Sequence, residues 1–121
     1  MIGWSEILQG GLATNAAVMD WIGGAREAAN AGHYVVMTPT AYCYFDFYQT
    51  TNKAAEPEAA GWGGPLPLNK MYAFDPMPAN VPLQLQSYIL GSQGNLWSER
   101  IPNLRHAEYM LFPRACALAG T

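Results

Sequence analysis

The stretch His33-Tyr34-Val35-Val36-Met37-Thr38 is a continuous, largely apolar run with two adjacent β-branched residues. Such a run is typical of a parallel strand covered on both faces, whereas a half-exposed strand alternates apolar and polar residues. Residues 25–31 are rich in Ala and are followed by Gly32, which predicts a helix that ends at a glycine. A second apolar segment, residues 16–21, precedes that helix. Strand, helix and strand in this order predict a βαβ unit.

Outside this βαβ unit, the sequence predicts two more strands and two more helices. The strands cover residues 1–4 and 89–97, and the helices cover residues 81–88 and 104–119. The last helix should be interrupted at Pro113, because proline lacks the amide hydrogen that a helix interior requires. The sequence therefore predicts an α/β fold with four parallel strands in a single domain, residues 1–121.

Residues 50–82 show no persistent helical or alternating period and are rich in Pro and Gly. A segment of this length inside a compact chain is more often functional than a linker. Trp62, Tyr72 and Phe74 supply apolar side chains with which it can pack onto the rest of the chain. We therefore predict an ordered excursion.

Composition limits the classes of partner. Of the 121 residues, 50% are hydrophobic and only 12% are charged, against a usual charged fraction of about 25%. This predicts apolar surface that is buried against a partner, such as a second copy of the chain. The net charge of -3 and six scattered Lys and Arg residues argue against nucleic acid.

Membrane-spanning, exported and metal-binding proteins are disfavoured, because the sequence lacks the features typical of each. No apolar run approaches the roughly 18 residues of a membrane span, and no signal peptide precedes the first motif, which predicts an unexported chain as given. Cys43, Cys116, His33 and His106 lack second ligands at metal spacing, so a metal site is not expected. Both cysteines are predicted to be small core residues.

Aromatic and acidic residues recur where the predicted strands end: Trp4, Trp21, Tyr44 with Asp46, and Trp97 with Glu99. The carboxyl ends of parallel strands share one face, so we expect these side chains to line one pocket. An indole offers a flat apolar face to a sugar ring, and a carboxylate accepts hydrogen bonds from sugar hydroxyls. Residues two apart on extended backbone point to the same side, which predicts that each carboxylate faces the ligand with its aromatic neighbour. The pattern predicts a sugar site.

A purely structural interpretation exists for each of these stretches. Trp97 alone suits a core strand with Glu99 as its solvated end, and Tyr-rich stretches often line cores and interfaces. Asp46, between Phe45 and Phe47, fits a core poorly because a buried carboxylate needs partners.

Five ordered motifs together resemble the catalytic barrel of family 20 glycoside hydrolases, the β-N-acetylhexosaminidases. They are Gly3-Trp4-Ser5-Glu6-Ile7, Val18-Met19-Asp20-Trp21, Tyr44-Phe45-Asp46-Phe47-Tyr48-Gln49, Gln93-Gly94-Asn95-Leu96-Trp97-Ser98-Glu99 and Glu108-Tyr109-Met110-Leu111-Phe112-Pro113-Arg114. The resemblance covers essentially the whole chain. It implies half of a (β/α)8 TIM barrel, strands five to eight, completed by oligomerisation.

The resemblance implies a substrate with a terminal N-acetylglucosamine or N-acetylgalactosamine and no cofactor. In the family, the 2-acetamido oxygen of the substrate attacks the anomeric carbon. Tyr44 would be the catalytic residue that hydrogen-bonds the acetamide oxygen. Trp4, Trp21 and Trp97 would enclose the acetamide and the ring. Asp46 and Glu99 would hold sugar hydroxyls.

The chain also departs from the family pattern. The adjacent Asp-Glu pair, which orients the acetamide and acts as general acid and base, belongs to the fourth strand, and this chain is expected to begin after it. Ile22 and Ser5 stand where Arg and Asp are common in the family. Members of the family are often exported or lysosomal, so the resemblance leaves localisation open.

Two hypotheses follow. In the first, the chain is a β-N-acetylhexosaminidase whose isolated monomer is inactive or very weak. In the second, it is a non-catalytic fragment that keeps an N-acetylhexosamine-binding wall. A homodimer of half-barrels is expected in either case, because two open strand edges invite pairing with another chain. A barrel fragment with no ligand is a third, purely structural alternative.

Overall fold

A computed structural model describes residues 1–58 and 63–121 of the chain. These residues form two compact units. The sheet unit comprises Met1–Thr40 and Asp75–Gln93, and the helical unit comprises Ala41–Phe74 and Gly94–Thr121. The prediction of a single domain stays a prediction.

The sheet unit contains four parallel strands in the order β1 to β4. They are β1 Ile2–Trp4, β2 Ala17–Asp20, β3 Val35–Met37 and β4 Ile89–Ser92. Val18 and Val35 are fully buried on the two central strands, and they lie opposite each other in the ladder. The predicted parallel α/β sheet is confirmed, with strands shorter than expected by up to five residues.

The ladder between β3 and β4 contains an irregularity. Val35 lies opposite Ile89, but the next residue, Val36, lies opposite Gly91, so Leu90 is an extra residue on β4. Gly91 has a φ of 123°, which only glycine adopts without strain. Leu90 is 60% exposed at this bulge.

Helix α1, Ala25–Asn30, packs on the sheet through its alanines. Ala25, Ala28 and Ala29 are buried, while Arg26 and Glu27 are exposed, which is the spacing of one helix face. Helical turns of the 3-10 type cover Ser5–Gln9 and Leu83–Tyr88 in the same unit. The predicted helices at residues 25–31 and 81–88 are thus confirmed, the second as a 3-10 helix.

Among the described residues, four more short α-helices follow α1 in chain order. Helix α2, Thr40–Cys43, begins at the last residue of the sheet unit's first segment, and the helical unit contains α3 Leu68–Tyr72, α4 Leu104–Leu111 and α5 Arg114–Leu118. The core of the helical unit is formed by Phe45, Leu66, Met71 and Ala117, with Leu68, Leu96, Leu111 and Leu118 packed around them. The break predicted at Pro113 is confirmed, because α4 ends at Leu111 and α5 begins at Arg114.

The strand predicted over residues 89–97 was too long. Strand β4 ends at Ser92, and Asn95 instead pairs with Tyr44 in an isolated parallel bridge. Gly94 allows this change of partner, because a Cβ atom there would lie 2.4 Å from Cε2 of Phe45. Trp97 and Glu99 are therefore not on a strand, and Glu99 begins a turn.

Three further expectations were wrong. Tyr44 and Asp46 lie in a turn rather than on extended backbone, because the Phe47 amide donates to the Tyr44 carbonyl at 3.2 Å. Tyr72, which was expected to pack onto the rest of the chain, is 63% exposed on α3. Cys116 is exposed, since the buried face of α5 is formed by Arg114 and Ala117.

Cys43 is buried, as predicted for a small core residue. Trp62 lies outside the described residues. None of the helices in residues 1–58 and 63–121 has the length and apolar character needed to cross a membrane.

Candidate functional site in the Tyr44–Phe47 turn

The Tyr44–Phe47 turn, meaning residues 44–47, is fixed by backbone pairing with Asn95. The Phe45 amide donates to the Asn95 carbonyl at 2.7 Å, and the Asn95 amide donates to the Cys43 carbonyl at 2.6 Å. This pairing brings Tyr44 next to Trp97, with ring centroids 6.2 Å apart and planes inclined by 52°. Trp97 is 37% exposed, so part of its ring is available to a ligand. The structure thus brings together two of the predicted aromatic residues.

Asp46 is a buried carboxylate on the same turn. It is 2% exposed, and its Oδ1 atom has no hydrogen-bond partner among the described residues. Burial raises the pKa of Asp46 and Glu99 raises it further, whereas its own backbone amide and Arg114 lower it. An unsatisfied buried acceptor costs free energy, and native proteins keep such groups mainly where they have a role. Asp46 thus keeps an oxygen whose hydrogen-bonding capacity is not used within the described residues.

Glu99 differs from Asp46 in exposure, since it lies at the surface of the helical unit. Glu99 raises the pKa of Asp46, so these two carboxylates, both predicted to bind sugar hydroxyls, lie within electrostatic range of each other. Tyr44, Asp46, Trp97 and Glu99 therefore belong to one region of the helical unit.

Trp4 and Trp21 belong to the sheet unit, where β1 ends at Trp4 and Trp21 directly follows β2. The Trp21 amide donates to Oγ of Ser5 at 3.2 Å, and its indole Nε1 donates to Oε2 of Glu6 at 3.0 Å. Both the backbone and the ring of Trp21 are thereby oriented. The prediction that all the aromatic residues line one pocket stays a prediction.

Asp20 organises the loop that follows β2, and its role was missed from the sequence. Its Oδ1 accepts from Oγ of Ser5 at 3.1 Å and from the Gly23 amide at 2.8 Å, while Oδ2 accepts from the Ala25 amide at 3.1 Å. Ser5 is thus part of the support of Trp21. An acidic residue at the end of an apolar strand, just before a Gly-Gly pair, is the sequence signal that would have identified it.

A cavity of about 370 Å³ opens beside this loop in the sheet unit. Its lining includes Glu6, Leu8, Gln9, Ile22 and Glu27. Trp4 and Trp21 are not among its lining residues. The cavity nevertheless adjoins Trp21, because Glu6 lines it and accepts from the Trp21 indole.

Arg114 is a second residue whose role was missed. It is fully buried, and its guanidinium donates to the carbonyls of Phe45, Phe47, Leu66 and Met110. Burial lowers the pKa of Arg114 to about 10, against opposing effects of Glu56, Tyr109 and Asp46. A lone cation in the apolar segment 110–118 is the signal that the sequence offered.

Tyr109 and Glu56 extend the support around the turn. The Tyr109 hydroxyl donates to Oε2 of Glu56, whose Oε1 accepts from the Thr50 amide at 2.6 Å. The side-chain amide of Gln49 donates to the Tyr109 carbonyl at 2.6 Å. Burial and Glu56 together raise the pKa of Tyr109 to about 12, so this hydroxyl stays a donor at neutral pH. These bonds tie the segment after the turn to α4.

The chain is a parallel α/β protein in which a buried carboxylate lies on the same turn as Tyr44, whose ring is paired with Trp97. These features suit a carbohydrate-binding protein. Residues 1–121 match the profile described as "Glycosyl hydrolase family 20, catalytic domain". The chain belongs to glycosyl hydrolase family 20, which confirms the resemblance.

Individual proteins similar to this chain support the same family assignment. The chain is 43% identical over 122 residues to a beta-hexosaminidase of Porphyromonas gingivalis, covering 98% of this chain and 15% of that protein. It is 32% identical over 127 residues to a beta-hexosaminidase of Vibrio furnissii, covering 100% of this chain and 20% of that protein. The chain thus spans about a fifth or less of the length of these relatives.

A solved structure shows the same likeness. The family 20 exo beta-N-acetylglucosaminidase of Vibrio harveyi, in complex with N-acetylglucosamine, superimposes with a TM-score of 0.83 at 34% identity. The match covers 98% of this chain and 19% of that one.

Proposed function

We propose that this chain contributes the N-acetylhexosamine-binding residues of a β-N-acetylhexosaminidase that acts on terminal N-acetylglucosamine or N-acetylgalactosamine. The observation that carries the proposal is the Tyr44–Phe47 turn, where Tyr44 contacts Trp97 and Asp46 keeps an unpartnered carboxylate oxygen. A stacking ring and a buried acceptor are what a sugar needs, because its ring faces are apolar and its hydroxyls are donors. The Vibrio harveyi relative in complex with N-acetylglucosamine supports the same ligand class.

The proposed reaction is substrate-assisted. The acetamide oxygen of the substrate forms a bond to the anomeric carbon while the bond to the leaving oxygen breaks, and water later opens the cyclic intermediate with retention. Tyr44 donates a hydrogen bond to the acetamide oxygen during cyclisation, and Trp97, Trp4 and Trp21 contact the acetamide and ring. Asp46 and Glu99 accept hydrogen bonds from ring hydroxyls.

The leaving oxygen also needs a proton, and the Asp-Glu pair that the resemblance assigns to this step is not represented in this chain. A missing general acid lowers the rate by roughly 10²–10⁴-fold. The alternative is therefore a non-catalytic N-acetylhexosamine-binding fragment. Turnover of a chromogenic N-acetyl-β-glucosaminide supports the enzyme, whereas binding of N-acetylglucosamine without turnover supports the alternative.

Replacing Trp97 by Ala tests the binding proposal. We expect calorimetry with N-acetylglucosamine, or with a thiazoline mimic of the cyclised intermediate, to show binding weaker by about 1–3 kcal/mol, because the stacking surface is lost. The matched control is Tyr72→Ala, which removes an aromatic ring that is 63% exposed on α3 of the same unit and should leave affinity unchanged. Equal affinities of wild type and Trp97→Ala would remove Trp97 from the site.

We also propose that the chain associates as a homodimer of half-barrels through the edges of its sheet. β1 and β4 are the outer strands, and Ile2 on β1 is 53% exposed while Leu90 on β4 is 60% exposed. Open edges carry unpaired amide and carbonyl groups that invite another strand. Two four-stranded sheets related by a two-fold axis would supply the eight strands of a closed barrel.

Light scattering measures this association directly. We expect a dimer at micromolar concentration, and Leu90→Lys should shift it towards monomer, because it adds a charge at an exposed edge position. The control is Leu83→Lys, at a residue that is 81% exposed outside the strands and should not alter the mass. A monodisperse monomer of the wild type would rule out the dimer.

A further inference from the structure

Arg114 is buried in a way that calls for a physical explanation. It is fully buried on α5, and it forms no ion pair with a carboxylate among the described residues. Removing a charge from water costs several kcal/mol unless hydrogen bonds or opposite charges compensate. Within the part of the chain that the structure describes, all its side-chain hydrogen bonds go to backbone carbonyls.

Two of these carbonyls belong to the Tyr44–Phe47 turn, and a third belongs to α4. Nη2 donates to Phe45 O, and Nη1 donates to Phe47 O at 2.9 Å, so the guanidinium holds the backbone on both sides of Asp46. The guanidinium carbon also lies 5.6 Å from the centroid of the Phe45 ring. On the other side, Nε donates to Met110 O at 3.0 Å, which anchors the guanidinium to α4.

We propose that Arg114 is a positioning residue for the sugar site. By holding the carbonyls of Phe45 and Phe47, it fixes the turn that presents Tyr44 and Asp46 to the ligand. The inference rests on the proposed function. It deepens that function, because it gives the buried cation a role in recognition beyond packing.

The electrostatics around Asp46 set the sign of the expected pH effect. Burial and Glu99 raise the pKa of Asp46, and Arg114 lowers it, while Glu56 and Tyr109 interact with Arg114 from the segment after the turn and from α4. Sugar binding that needs the ionised carboxylate is lost as pH falls through this pKa. Removing the Arg114 charge raises the pKa of Asp46, so binding should then be lost at a higher pH.

Two substitutions separate the geometric role from the electrostatic one. Arg114→Lys keeps the charge, but a single ammonium group cannot reach the carbonyls on both sides of Asp46 as the planar guanidinium does. Arg114→Met removes both the charge and the donors. The matched controls are Arg105→Lys and Arg105→Met, because the Arg105 side chain is 81% exposed on α4 and bonds Glu58 alone among residues 1–58 and 63–121.

Hydrogen exchange of the turn amides reports positioning without any ligand. In Arg114→Lys, we expect faster exchange at Phe45 and Phe47, whose amides bond Asn95 and Tyr44, while the Val18 amide in the sheet unit is unchanged. N-acetylglucosamine affinity should fall about tenfold, the effect of losing one hydrogen bond to a charged donor. The pH at which affinity is half lost should stay at the wild-type value in Arg114→Lys and rise in Arg114→Met.

The possible results distinguish failure of the positioning role from failure of the proposed function. Wild-type exchange and affinity in Arg114→Lys would overturn the inference, as would an unshifted pH midpoint in folded Arg114→Met. If Arg114→Met does not fold, Arg114→Lys alone decides the geometric claim. A wild-type protein that does not bind the sugar would remove the proposed function, whereas unchanged exchange rates in Arg114→Lys would remove the positioning role itself.

Discussion

Replacing Asp20 by Ala is expected to lower the free energy of unfolding by about 2–4 kcal/mol, because three donors lose a charged acceptor. These donors are the Ser5 hydroxyl and the amides of Gly23 and Ala25. Asp20 is 3% exposed, so water replaces the lost bonds only in part. Chemical denaturation monitored by circular dichroism measures the effect.

Asp75→Ala is the matched control for Asp20→Ala. Asp75 is exposed, and its Oδ1 accepts from the Met77 amide at 2.8 Å within a local turn, so a change of within about 0.5 kcal/mol is expected. The Asp20 variant should also alter Trp21 fluorescence, because Ser5 bonds both Asp20 and the Trp21 amide. Equal stability of the two variants would show that Asp20 does not organise the loop.

Replacing Tyr44 by Phe is expected to lower the rate constant for hydrolysis by about 10²–10³-fold, with a small effect on binding of N-acetylglucosamine. The substitution keeps the ring contacts with Trp97 and Phe47, at centroid distances of 6.2 and 5.8 Å, and removes only the hydroxyl. That hydroxyl acts on charge that develops on the acetamide during cyclisation, so it stabilises the transition state more than the bound substrate.

A 4-nitrophenyl N-acetyl-β-glucosaminide is the suitable substrate for Tyr44→Phe, because its phenolate departs without prior protonation. The assay therefore reads cyclisation with little dependence on a general acid. Tyr72→Phe, which removes an exposed hydroxyl from α3, should leave the rate unchanged. A loss confined to the Michaelis constant would contradict the catalytic role of Tyr44.

The family resemblance was available from the sequence because it lies in ordered motifs. The predicted roles of Trp4, Trp21, Tyr44, Asp46, Trp97 and Glu99 came with that resemblance and remain untested. The contact between Tyr44 and Trp97 agrees with the expectation of neighbouring aromatic residues. It arises from a turn and a single bridge, whereas extended strands had been expected.

Elements whose signals are local could be predicted from the amino-acid sequence alone. The apolar run of β3, the Ala-rich α1 and the proline break after α4 are each set by residues within one or two helical turns or one strand. Local propensity and hydrophobic patterning therefore predicted a four-stranded parallel sheet.

The Tyr44–Phe47 turn is held by contacts between residues that are far apart in the sequence. Arg114 bonds Phe45 and Phe47 across 69 and 67 residues of sequence, and Asn95 takes Tyr44 as its bridge partner in place of a longer β4. No local pattern encodes which distant carbonyls a buried guanidinium will reach. The partners of Arg114 depend on its burial beside the helical core that contains Phe45, because a buried cation needs acceptors within the protein.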